Sequence, residues 1–146
     1  MSYSRNTSGK TLIMPSGEEP FNNTGVSLPF LTPVCIDPTN GLITTIDVSD
    51  EIKSRTTYGV LSNTSMNGAR ADVTSIGRIP DVLVVGNFGD SIYVSKIGTL
   101  TNIPPAIGIG GFIAGDFCIE VGFIAKNLLN PLQKDLVVRV IQPTQL

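Results

Sequence analysis

A chain of 146 residues with 41% hydrophobic residues is long enough to bury one core without a metal or disulfide staple. Charged residues supply only 15%, below the ~25% of an ordinary domain, so solubility rests on Ser, Thr, Asn and backbone groups. The formal charge of −2 and the lack of any Lys/Arg cluster disfavour nucleic-acid binding, and the absence of histidine removes every Ser-His or Cys-His nucleophile scheme.

In chain order, Met1 to Pro20 is rich in Ser, Thr, Asn and Gly and reads as an extended amino-terminal arm. It lacks the charged-then-apolar pattern of a secretory signal, which predicts synthesis in a cytoplasm. Its one apolar triplet, Leu12, Ile13 and Met14, is a candidate strand for pairing with a neighbour's sheet edge. Phe21, just beyond the arm, is a further candidate partner contact.

The clearest hairpin joins Pro33 to Ile36 with Leu42 to Ile46 across Asn40-Gly41, a pair that supplies the positive φ angles of a tight turn. Asp50 to Arg55 allows a single helical turn, stopped by Thr56 and Thr57 before the β-type run Tyr58 to Leu61. A second Asn-Gly pair, Asn67-Gly68, separates that run from Ala71 to Ile79, where partial alternation predicts another antiparallel partner. Val82 to Val85 and Ser91 to Ser95 are predicted strands flanking a turn at Gly86 to Asp90.

The most apolar stretch, Ile103 to Ala125, opens with Pro104 and Pro105 and is interrupted by Asp116 and Glu120, so it cannot be one membrane-crossing helix. It divides into a proline-glycine loop and a strand over Cys118 to Ala125. Asn127 to Leu132 leaves room for a short helical turn, Asp135 to Ile141 is the last predicted strand, and residues 143 to 146 read as a frayed tail behind Pro143. Eight or nine short, mainly antiparallel strands predict an all-β domain over 21 to 142, a β-barrel or β-sandwich.

Chemistry-bearing motifs are sparse. Glu18-Glu19 and Asp50-Glu51 sit in polar connecting segments and read as solvated surface, not catalytic pairs. Asp37, Asp90 and Asp116 lie at turns, where such side chains bond their own backbone, and no spaced calcium-type loop occurs. The run Gly108 to Gly115 resembles a phosphate loop only superficially, because Ile113 takes the third glycine position and no Lys-Ser or Lys-Thr follows. Its other reading is a contact surface with Phe112 and Ile113 at the tip. Cys35 and Cys118 each lie in an apolar run, favouring buried thiols over a disulfide. No catalytic, metal or cofactor site is assigned.

Three groups of segments carry a family resemblance. They are Asn23 to Gly25 followed by Thr32 to Asp37 and Asn40 to Ile43; Tyr58 to Leu61, Ala71 to Ile79 and Gly89 to Ser95 with Gly98 to Thr101 and Pro104-Pro105; and Val121 to Ala125 with Leu136 to Val140. In this order they resemble the head decoration, or capsid cement, proteins of tailed bacteriophages and related β-domains of phage tails and fibres. The resemblance implies a non-enzymatic virion protein on the outer capsid surface. Its expected partners are the major capsid protein and further copies of itself, with a trimer favoured and neither nucleic acid nor membrane bound. The alternative it leaves open is a tail-fibre or receptor-binding module.

Overall fold

The computed structural model describes residues 21–146; the arm to Pro20, with the candidate strand at Leu12, Ile13 and Met14, lies outside the described residues. The described chain is mostly β, with eleven short strands and one helix. In order they are β1 (Pro33–Ile36), β2 (Ile43–Thr45), α1 (Glu51–Arg55), β3 (Thr57–Leu61), β4 (Val73–Thr74), β5 (Ile76–Ile79), β6 (Ser91–Val94), β7 (Leu100–Thr101), β8 (Phe117–Cys118), β9 (Glu120–Lys126), β10 (Lys134–Arg139) and β11 (Thr144–Gln145).

These strands make three antiparallel sheets, ordered β2-β1-β3-β4, β5-β10-β9-β6-β7 and β11-β8. None closes into a barrel, which corrects that half of the expectation. The reason lies in strand length: β4, β7, β8 and β11 span two residues each, too few ladder bonds to carry a sheet around a closed cylinder.

The predicted hairpin is present, with Val34 opposite Thr45 and Ile36 opposite Ile43. Gly41 takes φ +75° at its turn, and Asp37 closes the loop by accepting the Gly41 N–H on its carbonyl at 2.8 Å. The single helical turn also forms. Asp50 caps it by accepting the Lys53 N–H at 3.0 Å, and the β-branched pair Thr56-Thr57 returns the chain to extended structure.

Along β1 and β3, alternate residues face opposite sides. Cys35 and Val60 join one buried cluster, whereas Val34 and Leu61 join a second with Leu28, Ile43, Ala71 and Val73. The larger cluster unites all three sheets, because Ile92 and Val94 of β6, Val121 and Ile124 of β9, Leu136 and Val138 of β10 and Phe117 of β8 meet there. The four-stranded sheet is therefore covered on both faces, which explains why β1 and β3 are apolar without strict alternation.

Four further expectations need correction. Val82 to Val85 joins no sheet, and Val85 lies in a bend. The Ala71 to Ile79 run divides into β4 and β5 around Ser75. Asn127 to Leu132 is not helical, because the Asn127 side chain accepts the N–H groups of Leu129 and Asn130, both at 2.9 Å, and competes with a helical ladder. The carboxyl terminus is held, with Thr144 opposite Cys118 and Leu146 N–H bonded to the Asp116 carbonyl at 2.8 Å. Pro143 ends one strand without preventing the next.

Gly122 in β9 is required by close approach, since a Cβ there would lie 1.9 Å from the Val137 carbonyl oxygen of β10. Gly25, by contrast, has φ +91° in open space. Gly122→Ala should destabilise the fold by about 3 kcal/mol or more, and Gly25→Ala by about 1 kcal/mol. Urea unfolding of the two variants checks this, and equal losses would refute the close-contact reading.

Candidate functional site

One concave surface is an uncharged groove of about 500 Å3 built from Leu28–Thr32 with Thr45, Leu83–Val85 and Ile97–Leu100. Each wall is held by bonds made behind it. In the first, Leu28 exchanges both backbone bonds with Ser65 at 2.8 Å, and Leu31 N–H reaches the Leu61 carbonyl at 3.0 Å. Pro29 accepts the Thr32 hydroxyl at 2.7 Å, which fixes the corner carrying Phe30.

The second wall is a clamped segment that lies outside the sheets. Asp81 N–H bonds the Asp135 carboxylate at 3.0 Å, and Val82 N–H bonds the Lys134 carbonyl at 2.8 Å. The Lys134 ammonium donates to the carbonyls of Val84 at 3.3 Å and Gly86 at 2.6 Å. Val82 is thereby turned into the core, while Leu83 and Val85 point outward at 97% and 78% exposure. The third wall is the turn at Gly98, φ +84°, closed by Ser95 N–H to the Thr99 carbonyl at 2.6 Å. Ile97 projects from it at 84% exposure.

Among the described residues two non-glycines have positive φ, Leu31 at 70° and Asp81 at 55°. Leu31 lines the groove and Asp81 begins its second wall. A left-handed leucine costs about 1–2 kcal/mol, so the surrounding bonds impose this backbone against its local preference.

The candidate contacts read from sequence do not converge here. Phe21 stands on the other side of β2, paired with Arg70, whose guanidinium lies 5.6 Å from its ring centroid. Ile113 is 61% exposed on the proline-glycine loop. Phe112, expected beside it at an exposed tip, is 4% exposed within the larger core cluster. The correction has a physical cause: Asp116 accepts the Ile113 N–H at 2.9 Å and the Lys96 ammonium at 2.6 Å, and these bonds turn the loop so that Phe112 inserts.

The groove residues Phe30, Leu83, Val85 and Ile97 went unrecognised as contacts. The available signal was Val82 to Val85 itself, an apolar run with no polar residue in either phase of a period-two pattern. A strand of that pattern needs cover on both faces; in the fold Val82 is buried while Leu83 and Val85 are exposed.

No match is found among family models, curated proteins or solved structures. The chemistry of the site therefore rests on its geometry. Among the described residues no group of three His, Cys, Asp or Glu is placed to hold a metal ion, and no helix is long and apolar enough to cross a membrane.

Four carboxylates, of which Asp116 and Asp135 are buried, serve the frame. Asp37 and Asp90 bond the N–H groups of Thr39 and Asn87, each at 2.8 Å, as their turn positions predict. The Lys96 bond, followed by the Ile113 N–H, holds Asp116 below the ordinary value of 3.8. At Asp135 burial is the largest single influence and acts upward. The bonds from Asn127, Arg78 and Asp81 together outweigh it and bring the group below 3.8.

Depressed carboxylates stabilise the fold fully above the unfolded value and lose that contribution as pH falls through the folded one. The chain should therefore lose stability below about pH 4. Asp135→Asn should cost about 2 kcal/mol at pH 7 and show a shallower acid decline than the parent. Urea midpoints at pH 7, 4 and 3 measure both effects, and parallel declines would refute the assignment.

The two cysteines are free, as the sequence suggests. Burial, opposed by Lys53, pushes the Cys35 thiol up to about 11; burial and then Glu120 raise half-buried Cys118. At pH 7.5 iodoacetamide should leave Cys35 unmodified in the folded chain and alkylate it in urea, as read by mass spectrometry. Rapid native labelling of Cys35 would contradict its burial.

Proposed function

We propose that this chain is a non-enzymatic virion structural protein that decorates and stabilises the outer surface of a tailed-phage capsid. It binds major capsid subunits and further copies of itself through the face around Phe30, Leu83, Val85 and Ile97. The observation that carries this reading is the clamped wall, which holds Leu83 and Val85 in water on a backbone fixed from behind by Lys134 and Asp135. Large apolar side chains grouped on a groove are what a protein partner covers.

The supporting features are of one kind. The groove has no charged lining residue, the chain has few charges and no histidine, and Asp37, Asp90, Asp116 and Asp135 are engaged in turns and clamps. The two larger sheets, joined through one core cluster, fit the β-sandwich form of the expected fold. The resemblance in segment order supplies the capsid as the assembly. Copies arranged as trimers at threefold positions would each make modest contacts, and their sum would tie neighbouring capsid subunits together against internal pressure.

The test is to mix purified protein with phage heads lacking it, sediment the particles and count bound copies. A fixed number per head and a higher rupture temperature are expected, with Leu83→Asp and Ile97→Asp binding at least roughly tenfold more weakly while keeping the parent's melting temperature. Unchanged binding by both variants would remove this face from the function. Binding to host cells without binding to heads would favour the receptor-binding alternative.

A further inference from the structure

We propose that the pocket where the chain passes from β4 to β5 binds one neutral sugar ring, held by Asn63, Asp72 and Arg78 against the side chain of Phe30. This site shares only Phe30 with the groove and is independent of the groove's partner.

The chain leaves the four-stranded sheet at Thr74 and enters the five-stranded sheet at Ile76, and the seam between them leaves a pocket of about 240 Å3. Buried Thr74 and Ile79 lie at its floor, whereas Asn63 and Asp72 stand exposed at its rim. Bonds fix the segments that carry these groups. Ser62 N–H reaches the Asp72 carbonyl at 2.8 Å, and the Ser62 hydroxyl bonds that of Thr74. Phe30 is held by its N–H, which the Thr64 hydroxyl accepts at 3.3 Å, and by the corner at left-handed Leu31.

The polar side chains are oriented but only partly used. Asn63 donates through Nδ2 to Asp72 Oδ2 at 3.2 Å. Arg78 donates through Nη1 to the Asp135 carboxylate at 3.0 Å and to the Lys126 carbonyl at 3.1 Å. Asn63 Oδ1, Asp72 Oδ1 and the Nε and Nη2 groups of Arg78 bond no described residue. The pocket therefore offers free acceptors and free donors together, on groups that a ligand need not order first.

A ligand that uses both kinds of group within so small a space carries hydroxyls, each a donor and an acceptor, around its edge. Phe30 and Pro80 at the same pocket favour an apolar face as well, and a pyranose ring combines the two. Charge selects the neutral form. Arg78 is already balanced by buried Asp135, so Asp72 sets the local sign and repels a ligand carboxylate or phosphate. A pocket smaller than the ~300–1000 Å3 of drug-sized sites has room for a single ring, either a free sugar or the end residue of a glycan.

The test titrates the isotope-labelled full chain with the methyl glycosides of glucose, galactose, mannose and N-acetylglucosamine and follows amide chemical shifts. At least one glycoside should shift the amides of Ser62, Asn63, Asp72 and Arg78 saturably, with a Kd on the order of millimolar. Asp72→Ala, at an exposed position, should keep the parent's melting temperature and bind at least roughly tenfold more weakly, as should Phe30→Ala. Tighter binding of an oligosaccharide ending in the same ring assigns the site to glycans, and equal affinity assigns it to the free sugar. No saturable shift with any glycoside, tighter binding of a hexose phosphate than of its parent hexose, or unchanged affinity in Asp72→Ala would each overturn the proposal. Asp72→Ala should also sediment with phage heads as the parent chain does; its loss from heads would make the pocket part of the assembly face and overturn the proposal too.

Discussion

Two adjacent residues at the start of β10, Lys134 and Asp135, hold the parts of this fold that the rest cannot hold. The Asp135 carboxylate is buried and accepts bonds from Arg78 of β5 at 3.0 Å, from the Asp81 N–H at 3.0 Å and from Asn127 at 2.8 Å. Lys134, its neighbour, gathers the carbonyls of Val84 and Gly86. A sheet edge, a loop and the groove wall thus converge on one strand end. Breaking such a site leaves a charge without partners inside the protein, which is costlier than the pair is stabilising, so the arrangement fixes geometry more than it adds stability.

That geometry matters because of what it displays. A segment such as Asp81 to Gly86 would ordinarily enter a sheet, where its apolar residues are covered on both faces. Here side-chain clamps replace the ladder on one side and leave the other open. The outward pair Leu83 and Val85 is then preorganised, and a partner that covers it need not spend free energy ordering the backbone first. The left-handed backbone at Asp81 and at Leu31 belongs to the same economy of shape: two corners are held in unfavourable conformations so that two apolar walls face one another.

Much of the β architecture was legible in the sequence, and the reason is local. Asn40-Gly41 and the flanking β-branched residues specify the first hairpin by turn chemistry alone, and Asp50 with Thr56-Thr57 specifies a helix of one turn. Asp37 and Asp90 occupy positions where a carboxylate can reach its own backbone. The failures are non-local. Nothing near Phe112 announces that Lys96, about twenty residues earlier in the chain, will reach Asp116 and turn that loop inward. Nothing near Pro143 announces that Phe117–Cys118 offers a pairing edge to the terminus. The groove walls come from three separated segments and were invisible for the same reason: exposure of Leu83 depends on which face the fold leaves uncovered.

The perturbed groups bear on the proposed binding role in the same way. A catalytic centre needs groups whose protonation is poised near the working pH, and the perturbed groups here are moved away from it: the carboxylates Asp116 and Asp135 downward, the thiols of Cys35 and Cys118 upward. Each is fixed in one charge state across the neutral range. A surface whose apolar groups are held by a fixed backbone gains free energy from being covered. Repeated around an assembly, such contacts need not be strong singly, because linked sites raise one another's effective concentration. In the proposed assembly the low charge of the chain would reduce repulsion between neighbouring copies.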